Sequence, residues 1–148
     1  MKVLLGSDHA GFELKEKVKQ TLIALGHDVT DFGTDSPASM DYNDVAIELS
    51  QHVALDEKAK GILICGTGIG MSIQANKTKG IRAALVHDVK TAQLTRLHND
   101  SNVLAMGGQI VDHDVALTIV STWLDTPFSA EERHIRRVRK IQEKENDS

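Results

Sequence analysis

With 148 residues, 41% of them hydrophobic and 26% charged, the chain has the length and composition of one domain built around one sizeable core. Seventeen Lys and Arg against 21 Asp and Glu give a formal net charge of −4, which argues against a general nucleic-acid binder but leaves room for a local basic pocket. One cysteine cannot form an internal disulfide; acid arrives early in Met1-Lys2-Val3-Leu4-Leu5-Gly6-Ser7-Asp8, and no apolar run approaches about eighteen residues, so a cytoplasmic protein with no membrane span is expected.

Val3-Leu4-Leu5 reads as the first strand. Leu14, Val18, Leu22 and Leu25 then recur at helical spacing, and Gly26 ends that helix. Val29 to Phe32 is a second strand closed by Gly33, and Asp41 precedes a helix with Val45, Leu49 and Val53 on one face. Gly61 to Cys65 is apolar throughout, as befits a strand covered on both sides. A short helix is predicted over 70–77, a fourth strand over 81–86, a helix over 89–97 and a fifth strand over 103–106. Helices over 112–124 and, beyond Pro127, over 130–143 finish the chain, with Gln142 to Ser148 as a frayed polar tail. This alternation predicts a single α/β domain over 1–148, a three-layer αβα sandwich with a five-stranded parallel sheet.

Ligands of open parallel sheets bind beyond the carboxyl ends of the strands. Those ends carry Ser7-Asp8-His9, Gly33-Thr34, Cys65 to Gly70, His87-Asp88 and Gly107-Gly108, so polar and glycine-rich segments collect on one edge. The stretch Cys65-Gly66-Thr67-Gly68-Ile69-Gly70 is the most informative of these. Its glycine spacing and its place after the third strand do not fit a dinucleotide fingerprint, and it lacks the Lys-Ser or Lys-Thr pair of a nucleotide P-loop. It is either a tight strand-to-helix turn or a cradle of amides for a phosphate or a developing oxyanion, with Cys65 as base or nucleophile.

Asp8 and His9 are the acid and imidazole beside that crevice; a structural role for a lone histidine near a turn is the competing reading. His98-Asn99-Asp100 ends a helix just before strand five, on the sheet edge opposite the crevice. Within one chain a structural reading wins there, whereas a two-fold dimer could bring His98 to the neighbour's site. Arg133 and Arg137, four residues apart on the last helix, either belong to a solvated cationic face or clamp one phosphate dianion. His27, His52, His87 and His113 are scattered and form no zinc signature, so no metal is expected. Trp123 reads as a core or interface anchor.

Gly6-Ser7-Asp8-His9-Ala10-Gly11-Phe12, Asp31-Phe32-Gly33-Thr34, Gly61 to Asn76, Gly80-Ile81-Arg82-Ala83-Ala84, His98-Asn99-Asp100-Ser101-Asn102-Val103 and Arg133-His134 with Arg137, in this order, resemble the ribose-5-phosphate isomerase type B family. That family also includes galactose-6-phosphate and allose-6-phosphate isomerases. The resemblance implies a Rossmann-like three-layer fold, a cofactor-free aldose–ketose isomerase, and homodimers or pairs of dimers with sites at the subunit interface and the C-terminal helix near it. Carried over by motif, Cys65 is the base moving a proton between C1 and C2, assisted by Thr67. The amides of Gly66, Gly68, Ile69 and Gly70 hold the enediolate oxygen, with Asn99 beside it. Asp8 and His98 serve ring opening, and His9, Arg133 and Arg137 bind the phosphate.

Two positions depart from the family pattern. Ser7 stands where many members carry cysteine, and Gln109 where many of the ribose-phosphate branch carry arginine. The first lies outside the assigned chemistry; the second removes a charge near the phosphate and leaves a six-carbon sugar phosphate as the alternative substrate. A non-catalytic sugar-phosphate sensor is the alternative outside enzymes, but it would need neither Cys65, Thr67 nor His98.

Overall fold

The computed structural model describes residues 1–147 and is organised around strand β3 (Ala59–Cys65), six of whose seven residues are buried. An apolar strand of this kind needs cover on both faces, and it receives neighbours on both sides as well. The sheet is five-stranded and wholly parallel, in the order β2-β1-β3-β5-β4, with β1 at Lys2–Ser7, β2 at Asp28–Asp31, β4 at Ala83–Leu85 and β5 at Val103–Gly107. Chain order reverses direction between β1 and β3, so their carboxyl ends flank a switch point.

Helices α1 (Phe12–Ala24), α4 (Val89–Asn99) and α5 (His113–Asp125) cover one face, where Leu14, Val18 and Leu22 of α1 and Ile119, Val120 and Trp123 of α5 join Val3, Leu5, Ile62 and Leu104. Helices α2 (Tyr42–Ala54) and α3 (Ile69–Ala75) cover the other, where Val45, Leu49, Val53 and Met71 meet Leu4, Leu63 and Ala105. Trp123 is a core anchor: it is fully buried and its indole N–H donates to Ser101 Oγ at 2.9 Å. Helix α6 (Glu132–Asn146) lies outside these two layers against α4, burying His134 and Val138.

Acid caps set the starts of α4 and α5. Asp88 accepts the Thr91 N–H, and Asp112 accepts those of Asp114 and Val115. Three expectations shift. Strand four is confined to Ala83–Leu85, because Gly80 turns in a left-handed conformation and the Arg82 N–H goes to the Asn102 side chain rather than to a strand neighbour. The short third helix starts at Ile69 and ends at Ala75. The expected frayed tail is instead helical through Asn146, with the Glu145 carboxylate accepting the Gly80 N–H at 3.0 Å and Ile141 facing Ile81 across a shared groove. Ser148 lies outside the described residues. Among the described residues no helix is long and apolar enough to cross a membrane.

Candidate active site

Strand β3 delivers Cys65 to the sheet edge almost fully covered, at 5% exposure. Beyond it the chain doubles back so tightly that the Gly68 N–H donates to Cys65 Sγ at 3.1 Å. Gly68 makes this possible at φ +80°, where a Cβ would stand 2.7 Å from the Met106 carbonyl carbon and from Leu85 Cδ1. An N–H donor set against the sulfur is complementary to negative charge there. Thr67 is exposed beside it, and its hydroxyl accepts the Ile69 N–H at 3.2 Å.

The neighbouring strand ends lock this loop in place. The Asp8 N–H donates to the Ile64 carbonyl at 3.2 Å, the Gly108 N–H to the Cys65 carbonyl at 2.8 Å and the Gln109 N–H to the Gly66 carbonyl at 3.0 Å. Gly107 packs its Cα so closely on the Thr67 backbone that a Cβ would lie 2.6 Å from it. Asp8 is buried and its carboxylate accepts the Gly11 N–H at 3.1 Å, fixing the turn that carries His9. His9 Nδ1 accepts the Met40 N–H at 3.2 Å, which leaves Nε2 as its protonated nitrogen. Asp8, His9 and Cys65 through Gly70 are thus carried on neighbouring strand ends at one edge of the sheet.

Three further residues also border this edge: Tyr42, His113, and His87, whose strand end the sequence already placed here. The Tyr42 ring sits where a Cβ on Gly70 would be, 2.5 Å away. His87 Nε2 accepts the Gly107 N–H at 3.2 Å. His113 bonds to the Gly108 carbonyl through Nε2 at 3.1 Å while its Nδ1 faces Lys17 Nζ at 2.9 Å. Nothing in the sequence spacing marks Tyr42 or His113, because each arrives from a different element. Gln109, noted for its departure from the family, lays its side-chain oxygen over Gly66, where a Cβ would be 3.0 Å from it. The Ser7 hydroxyl is buried and without a partner among the described residues, an environment that a thiol would tolerate better.

The other four candidates form a second group. Helix α4 runs back along the sheet and ends at Asn99, where β5 begins, so His98 and Asn99 are separated from the Cys65 edge by the length of β5, about 13 Å. Both are exposed. Arg133 and Arg137 are exposed on the first turns of α6, and His134 between them stacks on His98 at 4.5 Å between ring centroids. Burial, together with Arg133 and His98, pushes the His134 imidazole below its ordinary pKa. Arg133 meets Glu131 at 3.0 Å. One chain therefore carries its candidates in two separate groups, a sulfur and acid on one edge and an imidazole with two guanidinium groups on the other. Among the described residues no cluster of three or more His, Cys, Asp or Glu could hold a metal ion.

Residues 3–141 match the model of a family described as Ribose/Galactose Isomerase. The ribose-5-phosphate isomerase B of Escherichia coli is 44% identical over 140 residues, covering 95% of this chain and 93% of that one. Among solved structures, ribose-5-phosphate isomerase B of Clostridium thermocellum is 46% identical with a TM-score of 0.96, covering 99% of each chain. The Mycoplasma genitalium ribose-5-phosphate isomerase B, solved with bound ribulose 5-phosphate, is 37% identical with a TM-score of 0.95, over 99% of this chain and 97% of that one.

Proposed function

The chain belongs to the ribose/galactose isomerase family, and on that premise we propose that this aldose–ketose isomerase interconverts D-ribose 5-phosphate and D-ribulose 5-phosphate with Cys65 as the base. The observation that carries this reading is the Cys65 sulfur, seated at a strand end inside a glycine-rich turn with an N–H donor at 3.1 Å. The reaction moves one hydrogen between adjacent carbons, so it needs a base and preorganised donors rather than an electron acceptor. Cys65 takes the C2 proton of the open-chain aldose and returns it to C1. The enediolate oxygen rests against amides of Gly66, Gly68, Ile69 and Gly70 and the side chain of Asn99, and Thr67 supports the sulfur. Asp8 and His98 exchange the protons that open the furanose ring. His9, Arg133 and Arg137 hold the phosphate, whose binding energy aligns the carbon chain without reacting.

Two half-sites on opposite edges support a homodimer, alone or paired into a tetramer, in which the His98 group of one subunit completes the Cys65 group of the other. The whole chain then acts as one cytoplasmic catalytic domain with α6 at the interface. Exposed Ile69, Ile73, Leu85 and Val89 beside the Cys65 loop, and Ile135 and Ile141 on α6, give that interface its apolar surface. Gln109 over Gly66 favours a comparison of five- and six-carbon substrates.

The test measures kcat/KM on ribose 5-phosphate, galactose 6-phosphate and allose 6-phosphate, with and without chelator, together with C2 hydrogen exchange by Cys65→Ala. Turnover highest on ribose 5-phosphate and undiminished by chelator is expected, with exchange in the variant lower by about 10²- to 10⁴-fold while phosphate binding persists. A six-carbon preference moves the substrate assignment, and binding without turnover on any sugar phosphate leaves the sensor reading.

A further inference from the structure

Lys15 is an ammonium with no accessible surface, placed on α1 beside Leu14 and one turn before Val18. Its Nζ lies 2.6 Å from Asp31 Oδ2 and 2.9 Å from Glu16 Oε1, and it sits 5.5 Å above the Phe12 ring. Lys19, one turn on, reaches the same Asp31 Oδ2 at 3.1 Å. Docking of α1 does not call for this arrangement, since Leu14, Val18 and Leu22 already bury its apolar face. Buried ion pairs are seldom more stabilising than apolar side chains of the same volume, so what the pair contributes is direction.

That direction leads to the active edge. With Oδ2 held by two ammonium groups, Asp31 turns Oδ1 to the Gly33 N–H at 2.8 Å. The corner at Gly33-Thr34 then grips Ser7 from both sides: the Gly33 carbonyl accepts the Ser7 N–H at 2.7 Å, and the Thr34 N–H donates to the Ser7 carbonyl at 2.8 Å. Ser7 is followed directly by Asp8, and the far end of the same loop supplies the Met40 N–H that fixes His9. We propose that Lys15 is a positioning residue which, through Asp31 and the Gly33-Thr34 corner, sets the placement of Asp8 and His9 against Cys65. The functional part of this rests on the isomerase reading above.

Three variants test it: Lys15→Met, Lys15→Met/Asp31→Asn and Lys19→Met. Each is measured for thermal unfolding, for kcat and KM on ribose 5-phosphate, and for the ring-nitrogen NMR shifts of His9. Lys15→Met is expected to lower kcat about tenfold through Asp8 and to raise KM through the phosphate-binding His9, by less because Arg133 and Arg137 remain in place. The double variant, which also neutralises the partly buried carboxylate that Lys15→Met leaves paired with Lys19 alone, is expected to recover thermal stability without recovering kcat, a separation that a purely structural pair would not show. Lys19→Met removes a partly exposed amine and stays folded; it is expected to shift the His9 resonances in the same direction to a smaller extent. Native kcat in any folded Lys15 variant, or unmoved His9 resonances in folded Lys19→Met, would overturn the proposal. If the wild type turns over no sugar phosphate, the isomerase reading fails on its own, and the His9 shifts still decide whether Lys15 and Lys19 set this geometry.

Discussion

At Gly68 a single hydrogen atom in place of a side chain decides the shape of the sulfur's surroundings. The residue combines φ +80° with a space closed by backbone, the Met106 carbonyl group, which cannot rotate aside as a side chain would. Gly26 has nearly the same φ, +86°, but nothing within reach of an added Cβ. Alanine at the two positions therefore separates conformational strain from crowding. Gly26→Ala is expected to lose about 1 kcal/mol of stability with kcat unchanged. Gly68→Ala is expected to lose more, and to reduce kcat by at least about 10²-fold, because the N–H aimed at Cys65 Sγ is displaced with the loop. Denaturant unfolding and steady-state kinetics on both variants read the difference; equal activity in the two would mean that the contact at the sulfur is dispensable.

Helix α6 shows how one element couples a charge to its own docking. His134 is buried with its Nδ1 2.7 Å from the Ser129 hydroxyl, and it faces Arg133, Arg137, His98 and Glu131. Burial is the largest cause lowering its pKa, followed by Arg133 and His98, against a smaller opposing pull from Glu131. The folded state thus holds the imidazole neutral while an unfolded one titrates near 6.5, so the unfolded chain binds more protons as the solution is acidified. The stability this group confers is complete above about pH 6.5 and is lost as pH falls below it. Asp31, whose pKa is lowered because hydrogen bonds from Lys15, Gly33 and Lys19 outweigh its burial, stays charged throughout that range and titrates below 3.8. The thermal unfolding temperature should therefore fall from about pH 7.5 to about pH 5.5, and His134→Asn, which keeps a polar partner near Ser129 but cannot protonate, should flatten that slope. An unchanged slope would place the titration elsewhere. Elements such as α6 also mark how far sequence could be read. The periodicity of Leu14, Val18 and Leu22, or of Val45, Leu49 and Val53, states the buried face directly, and the strand ends by themselves bring the polar residues to one edge. The last turn of α6 was not legible, since its docking rests on a contact between Glu145 and Gly80, 65 residues apart. Lys15 was hidden for a similar reason: a lysine in a helix reads as solvent-facing until Asp31 is brought against it. His113 was not legible because it opens α5 and reaches this edge only through its bond to the Gly108 carbonyl.

For the whole molecule the decisive fact is that the eight candidates around Cys65 and the four around His98 lie on opposite edges of one sheet. No local adjustment closes a gap of about 13 Å, because β5 is a rigid, fully buried strand between them. In the proposed homodimer a two-fold operator would close it by exchange, each subunit giving its His98 edge and receiving the other's in an isologous contact. This arrangement predicts two complementation groups. Cys65→Ala and His98→Ala homodimers should each be inactive, and after subunit exchange every mixed dimer should hold one site with both lesions and one with neither. Random exchange of equal amounts then returns about a quarter of wild-type activity per chain. Cys65→Ala with Arg137→Ala should complement in the same way, because Arg137 lies with His98. His98→Ala with Arg137→Ala is the informative mixture. Both lesions fall on the same half-site, so each site of the mixed dimer receives one of them, and activity should stay at the level of the parents. Verified exchange without recovery in the first two mixtures would show that the groups meet within one chain, and recovery in the last would show that His98 and Arg137 of one chain serve different sites.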